Sequence, residues 1–228
     1  MKKVIRQIVR YVSLVSILAF AESCEKNDDE GKNRMIGIGD ATAYAEHYIP
    51  YYVEPYSLVL DSLEVNYKYH SEVGFPLKIE GRVIEEGSRS EKDEYEVLAK
   101  KYGDEGFNRR AIIERDGAIS VAIDSITVVS DADIDVSHPK GSSLTDIIKL
   151  YSNNYYTYVK SGYNIVTPEN DKLISEYTKD DLTLLFYQLG LKFRFDNYME
   201  IKGTHNLTIT IYFEDGKKLS TIQTVKFD

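Results

Sequence analysis

Leu207-Thr208-Ile209-Thr210-Ile211-Tyr212-Phe213, followed by Glu214-Asp215-Gly216-Lys217, is the stretch that decides the fold. Side chains alternate across an extended strand, so Leu207, Ile209, Ile211 and Phe213 share one face, and Thr208, Thr210 and Tyr212 the other. Asp215-Gly216 accepts the positive φ that a tight turn needs. The chain then returns from Leu219 to Phe227 as the second arm of a hairpin. A hairpin with one apolar face has to bury it against a second layer.

The same period recurs upstream. Leu63, Val65, Tyr67 and Tyr69 share one face, with Glu64, Asn66, Lys68 and His70 on the other. Leu77, Ile79 and Val83 repeat it after a turn-like Ser71–Pro76, which predicts a second hairpin. Ile119, Val121 and Ile123 alternate, then the pattern slips to Ile126 and Val128, the mark of a β-bulge near Ser125. Residues 35–56 are rich in tyrosine and broken by Pro50 and Pro55, so the prediction there is irregular chain with a short helix around Ala41–Tyr48. Glu85–Gly106 reads as a charged, looser stretch with a strand around Tyr95–Ala99. Three helix starts follow. Ser143 with Asp146 and Thr178 with Asp181 fit capping boxes, and Thr167-Pro168 fits an N-cap before a first-turn proline. Leu182, Leu185, Phe186 and Leu189 recur at helical spacing before Gly190. These patterns predict a mainly β, single-domain, β-sandwich-like fold over residues 35–228, with two or three short helices inserted around 143–190.

The N-terminus carries an address. Lys2, Lys3, Arg6 and Arg10 precede an uncharged apolar run, Tyr11 to Ala21. A membrane span needs about 20 apolar residues, so the run is the length of an export signal rather than of a span. Two cuts are open. Ala19-Phe20-Ala21 is a signal-peptidase site, and Ala21-Glu22-Ser23-Cys24 resembles a bacterial lipoprotein box, though with Ala21 where that family prefers leucine. Cys24 is the only cysteine. The run behind it, with Lys26, Asp28, Asp29 and Glu30, resembles the acidic export signal of surface-exposed Bacteroidota lipoproteins. The resemblance implies a signal peptide over 1–23, lipidation of Cys24, a flexible tether over 24–34 and a place on the outer membrane facing outward.

Composition excludes several classes. Without the leader's four basic residues and one acid, the chain keeps 24 basic and 36 acidic residues, a formal charge of −12. An acidic chain without a basic patch is no nucleic-acid binder. With Cys24 taken as the anchor, neither a disulfide within the chain nor a thiol nucleophile remains, and core burial has to hold the fold. No G-x-S-x-G, H-E-x-x-H, P-loop or C-x-x-C occurs, so neither catalytic residues nor a cofactor site is predicted. His47, His70, His138 and His205 never stand as close helical pairs. Asp131-Ala132-Asp133-Ile134-Asp135 begins like a calcium loop, but Val136 and Ser142 occupy the places that need glycine and a bidentate acid, so no metal site is assigned. Two tyrosine clusters remain: Tyr44, Tyr48, Tyr51, Tyr52 and Tyr56, and Tyr151, Tyr155, Tyr156, Tyr158 and Tyr163. Tyrosine serves half-buried strand positions and sugar-stacking surfaces alike. Packing is the favoured reading, and a surface for a glycan or protein ligand is the alternative.

Asp124-Ser125-Ile126, Ser130-Asp131-Ala132-Asp133 and His138-Pro139-Lys140-Gly141-Ser142-Ser143-Leu144, with Ser161-Gly162-Tyr163 and the C-terminal hairpin, resemble an uncharacterised lipoprotein domain family of gut Bacteroidota. The likeness spans roughly Ala111 to the C-terminus and implies lineage and address but no activity. Within that lineage Asp61-Ser62-Leu63 and Asp124-Ser125-Ile126 also resemble a short O-glycosylation sequon. The sequence therefore leads to a non-enzymatic surface lipoprotein with a binding or envelope role, and to a carbohydrate-binding accessory protein as the alternative.

Overall fold

In chain order the elements are β1 (Tyr44–Ala45), β2 (Tyr51–Leu60), β3 (Gly74–Glu85), α1 (Lys92–Tyr102), β4 (Arg109–Arg110), β5 (Ala118–Ile119), β6 (Ile123–Ser130), β7 (Ile148–Asn153), α2 (Tyr156–Lys160), β8 (Glu169–Leu173), a 3-10 turn at Ile174–Glu176, β9 (Leu191–Phe195), β10 (Gly203–Phe213) and β11 (Lys218–Phe227). The computed structural model describes residues 44–60, 74–110, 115–166, 169–196 and 200–227, all within the compact unit Ile38–Asp228. The segments read as a leader and as a tether with Cys24, Lys26, Asp28, Asp29 and Glu30, the strand read at Leu63–His70 and the cap read at Thr167-Pro168 lie outside the described residues.

The fold class is the one the alternation predicts. A six-stranded sheet, β5-β2-β3-β9-β7-β8, faces a three-stranded sheet, β11-β10-β6. Between them lies the main core. Val53, Leu77, Ile79, Leu150 and Phe193 come from the large sheet, and Val128, Leu207, Ile209, Ile211 and Val225 from the small one. Each such side chain contributes about 1.5–3 kcal/mol when fully buried. The hairpin arms pair from Gly203↔Phe227 to Tyr212↔Lys218. Gly216 sits at φ +85°, its N–H bonds to the Phe213 carbonyl, and the Phe213 N–H bonds to that of Lys217. This is a three-residue turn closed by a left-handed glycine. The bulge also lies where the period slipped: Tyr212 pairs with Ser125 and Phe213 with Ile123, so Asp124 is the extra residue.

Three local predictions are corrected. Residues 35–56 are not irregular throughout: Tyr44–Ala45 is a short strand rather than helix, and Tyr51–Leu60 is one continuous strand through Pro55. Proline fits because it stands at a bulge, where the register passes from Pro55↔Gly81 to Ser57↔Glu80 and leaves Tyr56 over. The second neighbour of β2, β5, pairs only with Tyr52 and Val53. The stretch around Tyr95–Ala99 is helix α1, not strand. Tyr95, Leu98, Ala99 and Tyr102 form its packed stripe at i, i+3, i+4 and i+7, while Asp93 and Glu94 open it and Lys100 and Lys101 close it.

The block 143–190 holds less helix than its caps suggest. Ile148, Leu150 and Ser152 alternate inward in β7, because β9 and β8 offer ladders on both sides. Among the described residues Tyr156 to Lys160 is the one α-helix there. The Thr178–Asp181 box forms: the Thr178 hydroxyl and N–H donate to the Asp181 carboxylate at 2.6 and 2.8 Å. No helix follows it. Leu184 turns left-handed at φ +54°, and the chain runs extended, bridging Asn154↔Leu185 and Ala118↔Phe186. Leu182 and Leu185 thereby enter the main core, and Leu184 and Phe186 a second one.

The β2 bulge makes a sharp test. A Cβ at Gly81 would run into the Glu54 carbonyl and the Val53 side chain. Gly81→Val is expected to destabilise the protein by about 1–3 kcal/mol through overpacking, read as a lower urea midpoint. An unchanged midpoint contradicts the close approach of β2 and β3.

Candidate functional site

The second core lies under α1 and α2, on the opposite face of the large sheet. It gathers Ile49, Tyr52, Ile84, Tyr95, Ala99, Phe107, Tyr155, Val159, Tyr163 and Leu184. Gly103, at φ +76°, ends α1, and the N–H groups of Gly103 and Asp104 turn back to the carbonyls of Lys100 and Ala99. That ending carries Asp104, which is fully buried, against the segment before β2. Its Oδ1 accepts the Tyr48 N–H at 2.9 Å and the Tyr163 hydroxyl at 2.8 Å, and its Oδ2 accepts the Ile49 N–H at 2.8 Å. His47 Nδ1 meets the Asp104 carbonyl at 2.5 Å, and its Nε2 lies 3.5 Å from Glu96. Arg115 donates to the carbonyls of His47 and Tyr48 and lies over the Tyr48 ring at 5.5 Å. Burial pushes the half-buried Glu86 carboxyl up, against the pull of His47 and Arg115.

The hydroxyls of Tyr51, Tyr95, Tyr102 and Tyr155 are taken up internally. Tyr95 donates to the Ile49 carbonyl at 2.6 Å, Tyr102 to that of Ser120 at 2.8 Å, and Tyr155 to that of Asp116 at 2.9 Å. Tyr51 donates to the Asp116 carboxylate at 3.2 Å, and the same carboxylate accepts the Gln188 N–H at 2.7 Å. The Tyr48 ring meets Phe107, Tyr155 and Tyr158 edge-on, with centroids 5.0, 5.4 and 4.6 Å away. Packing is therefore the role of Tyr48, Tyr51, Tyr52, Tyr155, Tyr156, Tyr158 and Tyr163. Tyr56, at the β2 bulge, is the exposed exception at 62%. Among the described residues the Tyr52 hydroxyl is buried without a hydrogen-bond partner, at a cost of about 1–3 kcal/mol.

The acidic loop does not converge on a cation. Asp131 accepts the N–H and side-chain amide of Asn206 at 2.8 and 2.7 Å, Asp133 the Lys140 N–H at 2.6 Å, and Asp135 the N–H groups of Ser137 and His138 at 2.7 and 2.8 Å. Among the described residues no group of three or more His, Asp or Glu is arranged to hold a metal ion. His205 is buried between Ser130 Oγ at 3.2 Å and the Lys202 carbonyl at 2.9 Å. His138 lies between Asp135 and Asp146.

The surface most open to a partner is one that sequence reasoning passed over: the outer face of the three-stranded sheet. The register sets Ser125, Tyr212 and Lys218 in one row, Thr127, Thr210 and Ser220 in the next, then Val129, Thr208 and Ile222, then Asn206 and Thr224. Lys218 and Lys226, near the two ends of β11, and Asp124 at the β6 bulge are the charged side chains on these strands' outer side, in a chain that is 29% charged. Ile222 is 67% and Tyr212 39% exposed. Thr224 donates to Asn206 Oδ1 at 2.8 Å, and Asp131 holds the Asn206 amide from the rim. Asp124 and Ser125, at the bulge, are exposed on the same side's margin. The alternation Thr208-Thr210-Tyr212 was the available signal. It needed the register to show that three strands present one surface whose charges sit at its margins.

The Asp104 network is a structural staple, and Asp104→Ala is expected to show it. Two main-chain donors and a hydroxyl lose their acceptor, at about 1–3 kcal/mol per orphaned group, so a loss of at least about 3 kcal/mol is predicted in denaturant titration. A loss below about 1 kcal/mol contradicts the network. Comparison with protein-family models, with curated proteins and with solved structures finds no match.

Proposed function

We propose that this protein is a non-enzymatic binding domain displayed on the outer membrane, anchored by lipid on Cys24 and routed outward by Lys26, Asp28, Asp29 and Glu30. The observation that carries the binding role is the charge-poor outer face of β6, β10 and β11. Depletion of charge with an exposed aromatic and an exposed aliphatic side chain is the composition of the centre of an interaction surface, not of an ordinary solvated face. The formal charge of −12 on the processed chain repels other acidic envelope components, so contact is favoured where the surface is neutral.

A carbohydrate ligand is the second reading. Serine, threonine and asparagine side chains pair with sugar hydroxyls, and the Tyr212 ring offers a face on which a sugar stacks. Tyr48, Tyr51, Tyr52, Tyr155, Tyr156, Tyr158 and Tyr163 do not support this reading, because their rings are packed; Tyr212 and the hydroxyl rows support it instead.

A glycan array and an envelope-extract pull-down with the intact chain test the face. Tyr212→Ala and Ile222→Lys are each expected to weaken binding about tenfold, as removal of an interface anchor does. Val97→Lys, on the exposed side of α1, is expected to leave binding unchanged. Turnover of a glycoside, or binding indifferent to both face substitutions, overturns the proposal.

The address is tested separately. Cys24→Ser is expected to abolish palmitate labelling. Replacing Asp28, Asp29 and Glu30 together with alanine is expected to keep labelling and abundance while lowering cleavage by externally added protease. Equal labelling of wild type and Cys24→Ser removes the lipid anchor, and undiminished cleavage of the triple variant reduces the acidic run to a spacer.

A further inference from the structure

Residues 131–147, between β6 and β7, form an excursion closed on itself by main-chain bonds. Ile134 N–H bonds to the His138 carbonyl at 2.9 Å, and Gly141 N–H to that of Ser130 at 3.0 Å. The His138 ring stands at its centre, its side chain 12% exposed. Nδ1 lies 2.9 and 3.0 Å from the two oxygens of Asp135, and Nε2 3.3 Å from both oxygens of Asp146, in the turn before β7. A neutral imidazole has one N–H and one lone pair, so it can satisfy only one of two carboxylates. With a carboxylate at each nitrogen, the geometry is that of an imidazolium donating both protons. The carboxylates lie on opposite sides of the ring, so they cannot join one of its nitrogens in chelating a single cation.

We propose that Asp135, His138 and Asp146 form a proton-operated latch, in which the doubly protonated ring ties the loop tip to the turn before β7 and loss of one proton releases one of the two carboxylates. The groups facing the ring are Asp135 from its own turn and Asp146 from the turn before β7. Lys140, Asp133 and Asp131 belong to the same loop, where Asp133 is bound to the Lys140 N–H and Asp131 to Asn206 of β10. Burial alone would make the ring give up its proton more readily, but the hydrogen bonds and charges of Asp135 and Asp146 outweigh it, and His138 holds its proton above the ordinary histidine range. A pKa raised by folding gives stabilisation that is complete below the unfolded value of about 6.5 and lost as pH rises through the folded value. The latch is therefore shut in mildly acidic surroundings and opens as the medium becomes alkaline.

The latch is independent of the proposed binding face, and its test needs no ligand. Histidine ring resonances and amide exchange of the intact chain are followed from about pH 5 to pH 9, with exchange corrected for its intrinsic pH dependence. His138, assigned by the resonance lost in His138→Gln, is expected to titrate above about 6.5. Protection of the amides of 134–140 is expected to fall about twofold to fivefold across that titration, the scale of an exposed ion pair. Asp146→Asn is expected to lower the midpoint and bring the fall in protection to lower pH, and His138→Gln to make protection independent of pH. Asp146 is exposed, so Asp146→Asn empties no core position, and the wild-type titration decides by itself. A His138 midpoint at or below about 6.5, or wild-type protection that does not change across it, overturns the latch.

Discussion

Tyr51 and Tyr52 are adjacent in β2 and buried on opposite faces of the same sheet, and the rest of the architecture answers that constraint. Tyr51 and Val53 point into the space between the sheets. Tyr52 points the other way and needs its own cover, which α1, α2 and the extended segment through Leu184 supply. A dry layer lined with phenols is stabilised where their hydroxyls find acceptors, and the Tyr52 hydroxyl, which finds none among the described residues, is the exception. The Asp104 carboxylate and the carbonyls of Ile49, Asp116 and Ser120 accept from Tyr163, Tyr95, Tyr155 and Tyr102, each carried in from a different part of the chain. The second core is thus an aromatic layer closed by hydrogen bonds, where the first is aliphatic and closed by sheet packing.

Four aspartates in this acidic chain act as fasteners for its own backbone. Asp104 binds the approach to β2, Asp116 the approach to β9, Asp131 the rim of β10, and Asp181 caps a turn. Each satisfies main-chain N–H groups that would otherwise face solvent or remain unpaired. This explains why alternating aspartates after β6 resemble a cation loop in sequence without forming one. Their oxygens diverge, because the backbone donors they satisfy lie in different directions.

Charge is distributed unevenly over the two sheets. The large sheet's outer side carries paired ions, such as Arg82 with Glu54 and Glu94 and Arg194 with Asp171, next to the helices. Lys101 and Lys179 meet at Glu214 by the hairpin turn. The outer rows of the small sheet hold hydroxyls, an amide, a valine, an isoleucine and a tyrosine, with Lys218 at one end. Lys218 and Lys226 near the ends of edge strand β11 guard it against pairing with another chain, which leaves its flat face as the surface available to a partner.

By itself the sequence determined what depends on neighbours in the chain: the hairpin over 207–227, the bulge beside Ser125, the Thr178–Asp181 cap and the mainly β class. Those follow from alternation, turn chemistry and local hydrogen bonds, all of which act over a few residues. The stripe Tyr95, Leu98, Ala99, Tyr102 was also legible as a helix, but the charges between its members hid it. Only the tertiary structure decided whether Ile148-Lys149-Leu150 became strand or helix, because both periods fit and the ladders from β8 and β9 chose. It also decided that Pro55 sits inside a strand, since the bulge opposite Gly81 admits it. The tyrosines became core rather than surface through Asp104 and Asp116, which are distant in sequence, and the charge-poor face appeared once β6, β10 and β11 aligned. Such outcomes depend on contacts between residues far apart in the chain, which no local pattern encodes.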